Sequence, residues 1–102
     1  MYIERKAGAL TGEARIGRVT FNKTGRTIFY REQVFRRIVG GGFKSNYCEE
    51  ATGENYWISG PKRRGGDRMY GSALPVDIDG DVRAEYWHDI RGMPERLNDH
   101  VA

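Results

Sequence analysis

Four groups of side chains in this sequence are of types that could do chemistry. The first is the string GPKRRGGDRMYG, residues 60–71, in which Lys62, Arg63, Arg64 and Arg68 surround the paired glycines Gly65 and Gly66. Lysine and arginine are charge-assisted donors to phosphate and carboxylate oxygens, and adjacent glycines let a backbone approach a ligand closely. With Trp57 before the string and Tyr70 inside it, the pattern suits nucleic acid: guanidiniums meet phosphates and rings stack on bases. It is not a nucleotide phosphate loop, because it lacks GxxxxGK[ST] and no helix is expected after it. The competing explanation is a solvated hairpin loop whose charges only keep it soluble. Arg36 and Arg37, in YREQVFRRI (30–38), extend the basic set. On a strand they point to opposite faces, so at least one reaches solvent.

The other three groups have simpler explanations. Glu85-x-x-His88, with Asp89 beside it, has metal-ligand spacing on one helical turn. Carboxylate-bridged centres in bundles need two such helices, and only one is expected here, so a solvated helix face accounts for the pattern. Cys48 could be a nucleophile only with a base beside it. Inside a strand pattern, a single cysteine packs as a small hydrophobe. The string DIDGD (77–81) resembles the start of a calcium loop, but its glycine is fourth and position twelve is His88. The EF-hand requires glycine at the sixth position and glutamate at the twelfth. Helix capping explains these aspartates better. No metal, cofactor or catalytic constellation is expected, and an enzyme is the least favoured class.

Elements must hold these residues in place. The 102 residues suffice for one domain, expected over 1–94, with 95–102 as a frayed tail. A hydrophobic content of 38%, with 12% of all residues aromatic, supports a core, while 14 glycines against 3 prolines suggest short strands and tight turns. RIGRVTF (15–21) and RTIFYR (26–31) read as a hairpin around NKTG, with Gly25 free to take a positive φ. VFRRIV (34–39) follows after a tight reversal that contains no glycine. KSNYCE (44–49) and ENYWIS (54–59) flank EATG, where Gly53 suits the left-handed position, and LPVDI (74–78) is a last edge strand. Val82, Tyr86 and Ile90 then recur at i, i+4 and i+8 and predict a helix over about 81–91, capped by Asp79 or Asp81 and ended by Gly92 and Pro94. The fold class expected is mainly β with one C-terminal helix: a small SH3-like barrel, or a strongly bent antiparallel sheet, capped by that helix.

Charge is uneven along the chain. Residues 1–44 carry net +7, 45–59 net −3, 60–72 net +3 and 73–102 net −4, for a total of +3. A dipolar surface of this kind orients association with an anionic partner. MYIERK has no apolar run after its charges, so it does not read as a signal peptide. No stretch approaches the roughly 18 apolar residues of a membrane span. A single cysteine suits a reducing cytoplasm.

Three blocks taken together, ARIGRVTFNKTGRTIFYR, ENYWISGPK and DVRAEYWHDIRGMPE, resemble a family of short uncharacterised bacterial proteins of this length. Some members carry the label deoxyxylulose-phosphate synthase. Such a synthase is a large thiamine-diphosphate enzyme with a GDG signature and a distant Asn. Here the nearest string, Asp79-Gly80-Asp81, has the wrong order. The resemblance implies no catalytic residues. The expected function is a non-enzymatic basic binding module that contacts an anionic partner, nucleic acid first. The alternative is a protein-interaction factor, such as an inhibitor, immunity or accessory protein, with a Tyr/Trp surface as its hot spot.

Overall fold

In the computed structural model, which describes residues 1–6, 12–38, 45–62 and 74–102, eight short strands form one sheet. They are β1 (Tyr2–Arg5), β2 (Ala14–Ile16), β3 (Thr20–Phe21), β4 (Thr27–Tyr30), β5 (Gln33–Arg37), β6 (Tyr47–Glu49), β7 (Asn55–Ser59) and β8 (Asp77–Ile78). Their order is β3-β4-β5-β6-β7-β1-β2-β8, with every neighbouring pair antiparallel except β2 and β8. The expected glycine turns form: Gly25 and Gly53 both sit at φ +73° between β3 and β4 and between β6 and β7. The reversal without a glycine also forms. Arg31 takes its place at φ +54°, in a two-residue turn joining Tyr30 to Gln33.

The sheet curls into a half-barrel. β4 and β2 stand five strand spacings apart, roughly 24 Å in a flat sheet at about 4.8 Å per spacing. Yet the Tyr30 hydroxyl on β4 donates to the carboxylate of Asp79, just beyond β8, and a Cβ built on Gly17 after β2 would lie 2.4 Å from the Tyr30 ring. The concave face holds one core, made by Ile3, Ile28, Tyr30, Phe35, Tyr47, Tyr56 and Ile58. The convex face of β1, β2 and β8 holds a second, where Tyr2, Ala14, Ile16, Val76 and Ile78 meet Val82, Tyr86 and Trp87.

β1 is therefore covered on both sides, which explains why adjacent Tyr2 and Ile3 are both buried. Glu4 follows at 1% exposure and Lys6 lies at 4%. Burial of these charges is tolerable because they satisfy one another. Lys6 Nζ and the Gly12 amide each donate to Glu4 Oε2 at 3.1 Å, and the Tyr2 hydroxyl donates to Oε1 at 2.6 Å.

The expected α-helix over 81–91 is replaced by narrower and wider turns: 3-10 at Gly80–Val82, π at Glu85–Ile90 and 3-10 again at Pro94–Arg96. The apolar stripe itself faces the sheet as expected, with Val82 and Tyr86 buried and Ile90 partly so. The wider turn carries two adjacent buried rings, Tyr86 and Trp87. The π turn, closed by the Arg91 amide on the Tyr86 carbonyl at 2.8 Å, lets both neighbouring rings pack at a 4.9 Å centroid distance.

Residues 95–102, expected as a frayed tail, return along β8. The Ile78 amide donates to His100, the Ala102 amide donates to Val76, and Trp87 Nε1 donates to the Asp99 carbonyl at 3.0 Å. Among the described residues, no helix is long and apolar enough to cross a membrane.

Candidate nucleic-acid interface

The helical turns cover only the β7-β1-β2-β8 half of the convex face. On the other half, β3, β4 and β5 form a ribbon. From Arg18 to Ile38 it carries six Lys/Arg against one acid, Glu32, for a net charge of +5. Three of these cations meet carboxylates: Arg18 with Glu85 at 2.7 Å, Arg36 with Glu50 at 2.9 Å and Arg31 with Asp79 at 3.0 Å. Lys23, Arg26 and Arg37 have no ion-pair partner among the described residues, and all three are exposed. Arg26 and Arg37 are brought together by the ladder, since the Arg37 amide donates to the Arg26 carbonyl at 2.8 Å. Two rings stand among these charges, Phe21 at 50% and Phe29 at 40% exposure. They sit on adjacent strands but on opposite faces: Phe29 pairs with Thr20 on the convex side, whereas Phe21 pairs with Ile28 and shares its concave side.

The residues named from sequence fall in several places. Arg36 and Arg37 are both exposed on β5. Arg36 reaches solvent on the convex side. Arg37 shares the parity of buried Phe35, but the strand carries it past the end of the core. Lys62 is exposed beyond the end of β7. Trp57 is half-buried against the convex core. Arg63, Arg64, Arg68 and Tyr70 lie outside the described residues. Cys48 is half-buried on β6 opposite Arg36 and Asn55, with its thiol near the Glu49 carbonyl. Neither neighbour is a general base. The Glu85 carboxylate is taken by Arg18, and His88 by its neighbour Asp89 at 2.7 Å.

Asp79 was expected to cap a helix, and its side chain makes no cap hydrogen bond. It turns instead into the half-barrel, where it is 8% exposed. There it accepts the Tyr30 hydroxyl on Oδ2 and pairs through Oδ1 with Arg31 and, at 3.3 Å, with Arg15. Burial first, and then the hydrogen bond to Asp79, push the Tyr30 hydroxyl up to about 12. The phenol therefore remains a donor throughout the neutral range. This clasp joins β4 to the β2/β8 side by side chains, where backbone pairing stops. It also explains Arg31: a left-handed arginine costs roughly 1–2 kcal/mol, and the ion pair with Asp79 offsets part of that. The clasp was invisible to sequence reading because Tyr30 and Asp79 are 49 residues apart.

No protein-family model matches this chain, and neither a curated protein nor a solved structure matches it.

Proposed function

We propose that this chain is a small nucleic-acid-binding module whose contact surface is the β3–β5 ribbon, with the basic residues Lys62, Arg63, Arg64 and Arg68 of the sequence as a second set of phosphate contacts. One observation carries the reading: three cations without an ion-pair partner among the described residues, Lys23, Arg26 and Arg37, lie on a net +5 ribbon that also exposes Phe21 and Phe29. Phosphate contacts supply affinity without sequence preference, and exposed rings offer stacking platforms for unpaired bases. This moves the aromatic part of the interface from Trp57, whose ring packs against the core, to the two phenylalanines. The half-barrel acts as a rigid frame for this ribbon, which offers Phe29 on its convex face and Phe21 on the opposite one. Such a role requires no catalytic residue and no cofactor.

The test is a fluorescence-anisotropy titration with single-stranded and duplex oligonucleotides at several salt concentrations. Expected is micromolar or weaker binding that falls steeply with salt. The triple variant Lys23→Ala, Arg26→Ala, Arg37→Ala should lower the log–log salt slope by up to about 2–3, at roughly 0.7–0.9 per lost contact. Its melting temperature should be unchanged, because the three side chains are exposed. Absence of binding at low salt, or an unaltered slope in the variant, refutes the proposal. In that event the protein-interaction reading, with the exposed phenylalanines as anchors, takes its place.

A further inference from the structure

The mouth of the half-barrel opposes the charge of the molecule around it. A cleft of about 530 Å³ opens on the concave face, within the range of small-molecule sites. Its wall is apolar and aromatic where Ile3, Tyr30, Tyr56, Leu74 and Pro75 line it. Four charged side chains also line it: Arg5, Arg15, Glu13 and Asp77. They differ in whether they are already engaged.

Both arginines are engaged. Arg5 holds Glu54 with two bonds, Nε to Oε2 at 2.6 Å and Nη2 to Oε1 at 2.5 Å. Arg15 is engaged by Asp79 in the clasp. Neither acid is engaged in this way. Glu13 and Asp77 are exposed, and neither forms an ion pair among the described residues. Asp77 stands directly across the β2–β8 ladder from Arg15 but beyond ion-pair distance. The uncommitted charge of the cleft is therefore negative, in a protein of net charge +3.

Polar groups converge on the same space. Gln33 Nε2 donates to Glu49 at 3.2 Å and to the Tyr56 hydroxyl at 3.5 Å. This leaves the Gln33 carbonyl to accept and the Tyr56 hydroxyl to donate.

From this arrangement we infer that the concave cleft binds a small organic cation: an ammonium or guanidinium group on an apolar or aromatic body. Glu13 and Asp77 take the charge, the Gln33 carbonyl takes one of its N–H donors, and Tyr56 and Leu74 cover the hydrocarbon. A simple anion is disfavoured, because it would face two carboxylates that feel Arg5 and Arg15 only beyond ion-pair distance, while both arginines are held by Glu54 and Asp79. The cation can come from a free amine or from a lysine or arginine side chain of a peptide, and the chemistry of the cleft is the same for both.

The experiment is a two-dimensional NMR titration of the full chain with three probes of one shape, phenethylamine, phenethyl alcohol and 3-phenylpropionate. Blocked lysine and arginine amides run in parallel. Expected are saturating shifts centred on residues 12–15, 33, 56 and 74–77, with the amine at least about tenfold tighter than the alcohol, since each exposed ion pair contributes a few-fold. The double variant Glu13→Gln, Asp77→Asn should lose about that tenfold for the amine and leave alcohol binding unchanged. Its folded amide dispersion should match the parent, because both side chains are exposed. Tighter binding of a blocked lysine or arginine than of phenethylamine supports the proposal and assigns a peptide side chain as the source; the reverse supports it and assigns a free amine. Equal binding of amine and alcohol, preference for the propionate, an unaffected double variant, or no shift at tens of millimolar amine overturns it.

Discussion

Replacing Tyr30 by Phe tests whether the half-barrel is closed by side chains. The ring is almost fully buried, so Phe keeps its packing and removes only the hydroxyl. That hydroxyl donates to the Asp79 carboxylate, which retains Arg15 and Arg31 afterwards and so is not orphaned. The loss is therefore that of one hydrogen bond to a charged group, about 1.5–3 kcal/mol. For a domain near 100 residues, 1 kcal/mol moves the melting temperature by about 4–8 °C, so the variant should melt on the order of 10 °C lower. The pH dependence gives a second, independent readout. A phenol raised above its ordinary value of about 10 stabilises the fold fully below pH 10, and that contribution fades as pH rises through about 12. Calorimetric melting temperatures of parent and variant should thus differ by a constant amount up to about pH 10 and converge toward pH 12. Equal melting temperatures at pH 7, or curves that stay parallel through pH 12, would refute the clasp.

Two further substitutions probe the same architecture from other sides. Gly17→Ala places a Cβ 2.4 Å from the Tyr30 ring and 2.8 Å from the Asp79 carboxylate. It should cost about 1–3 kcal/mol by chemical denaturation and combine with Tyr30→Phe less than additively, because each opens the same contact; full additivity would argue that the two sites are independent. Tyr86→Ala removes a fully buried ring packed on Trp87 and should cost about 3–5 kcal/mol, so an unchanged melting temperature would show that the helical turns do not hold the convex core.

How much of this was legible depends on the range of the signal. Local turn chemistry could be read: Gly25 and Gly53 announce two hairpins, because few other residues occupy their left-handed backbone at low cost. The apolar stripe of Val82, Tyr86 and Ile90 was legible as a face. The turn type was not, because apolar residues at i, i+4 and i+8 mark a face and do not separate an α turn from a π turn. β1 was missed as well. MYIERK, with three charges in six residues, carries no strand pattern, and only the fold shows that Glu4 and Lys6 neutralise each other inside it. The candidate interface followed a similar division. Arg36 and Arg37 were recognisable as strand cations of which at least one reaches solvent, whereas Phe21 and Phe29 have the sequence pattern of any half-buried hairpin. Phe29 is exposed because the C-terminal turns are placed over β7, β1, β2 and β8 and leave its face uncovered; Phe21, on the opposite face, lines an open cleft with Val82, Tyr86 and Ile90. That placement follows from the curl. Once Tyr30 reaches Asp79, the chain after β8 is committed to the β2 side, where Val82, Tyr86 and Trp87 find Tyr2 and Ile16. The ribbon is left uncovered by the same contact that closes the half-barrel. Loss of the clasp should therefore loosen the seating of the helical turns along with the curl of the sheet.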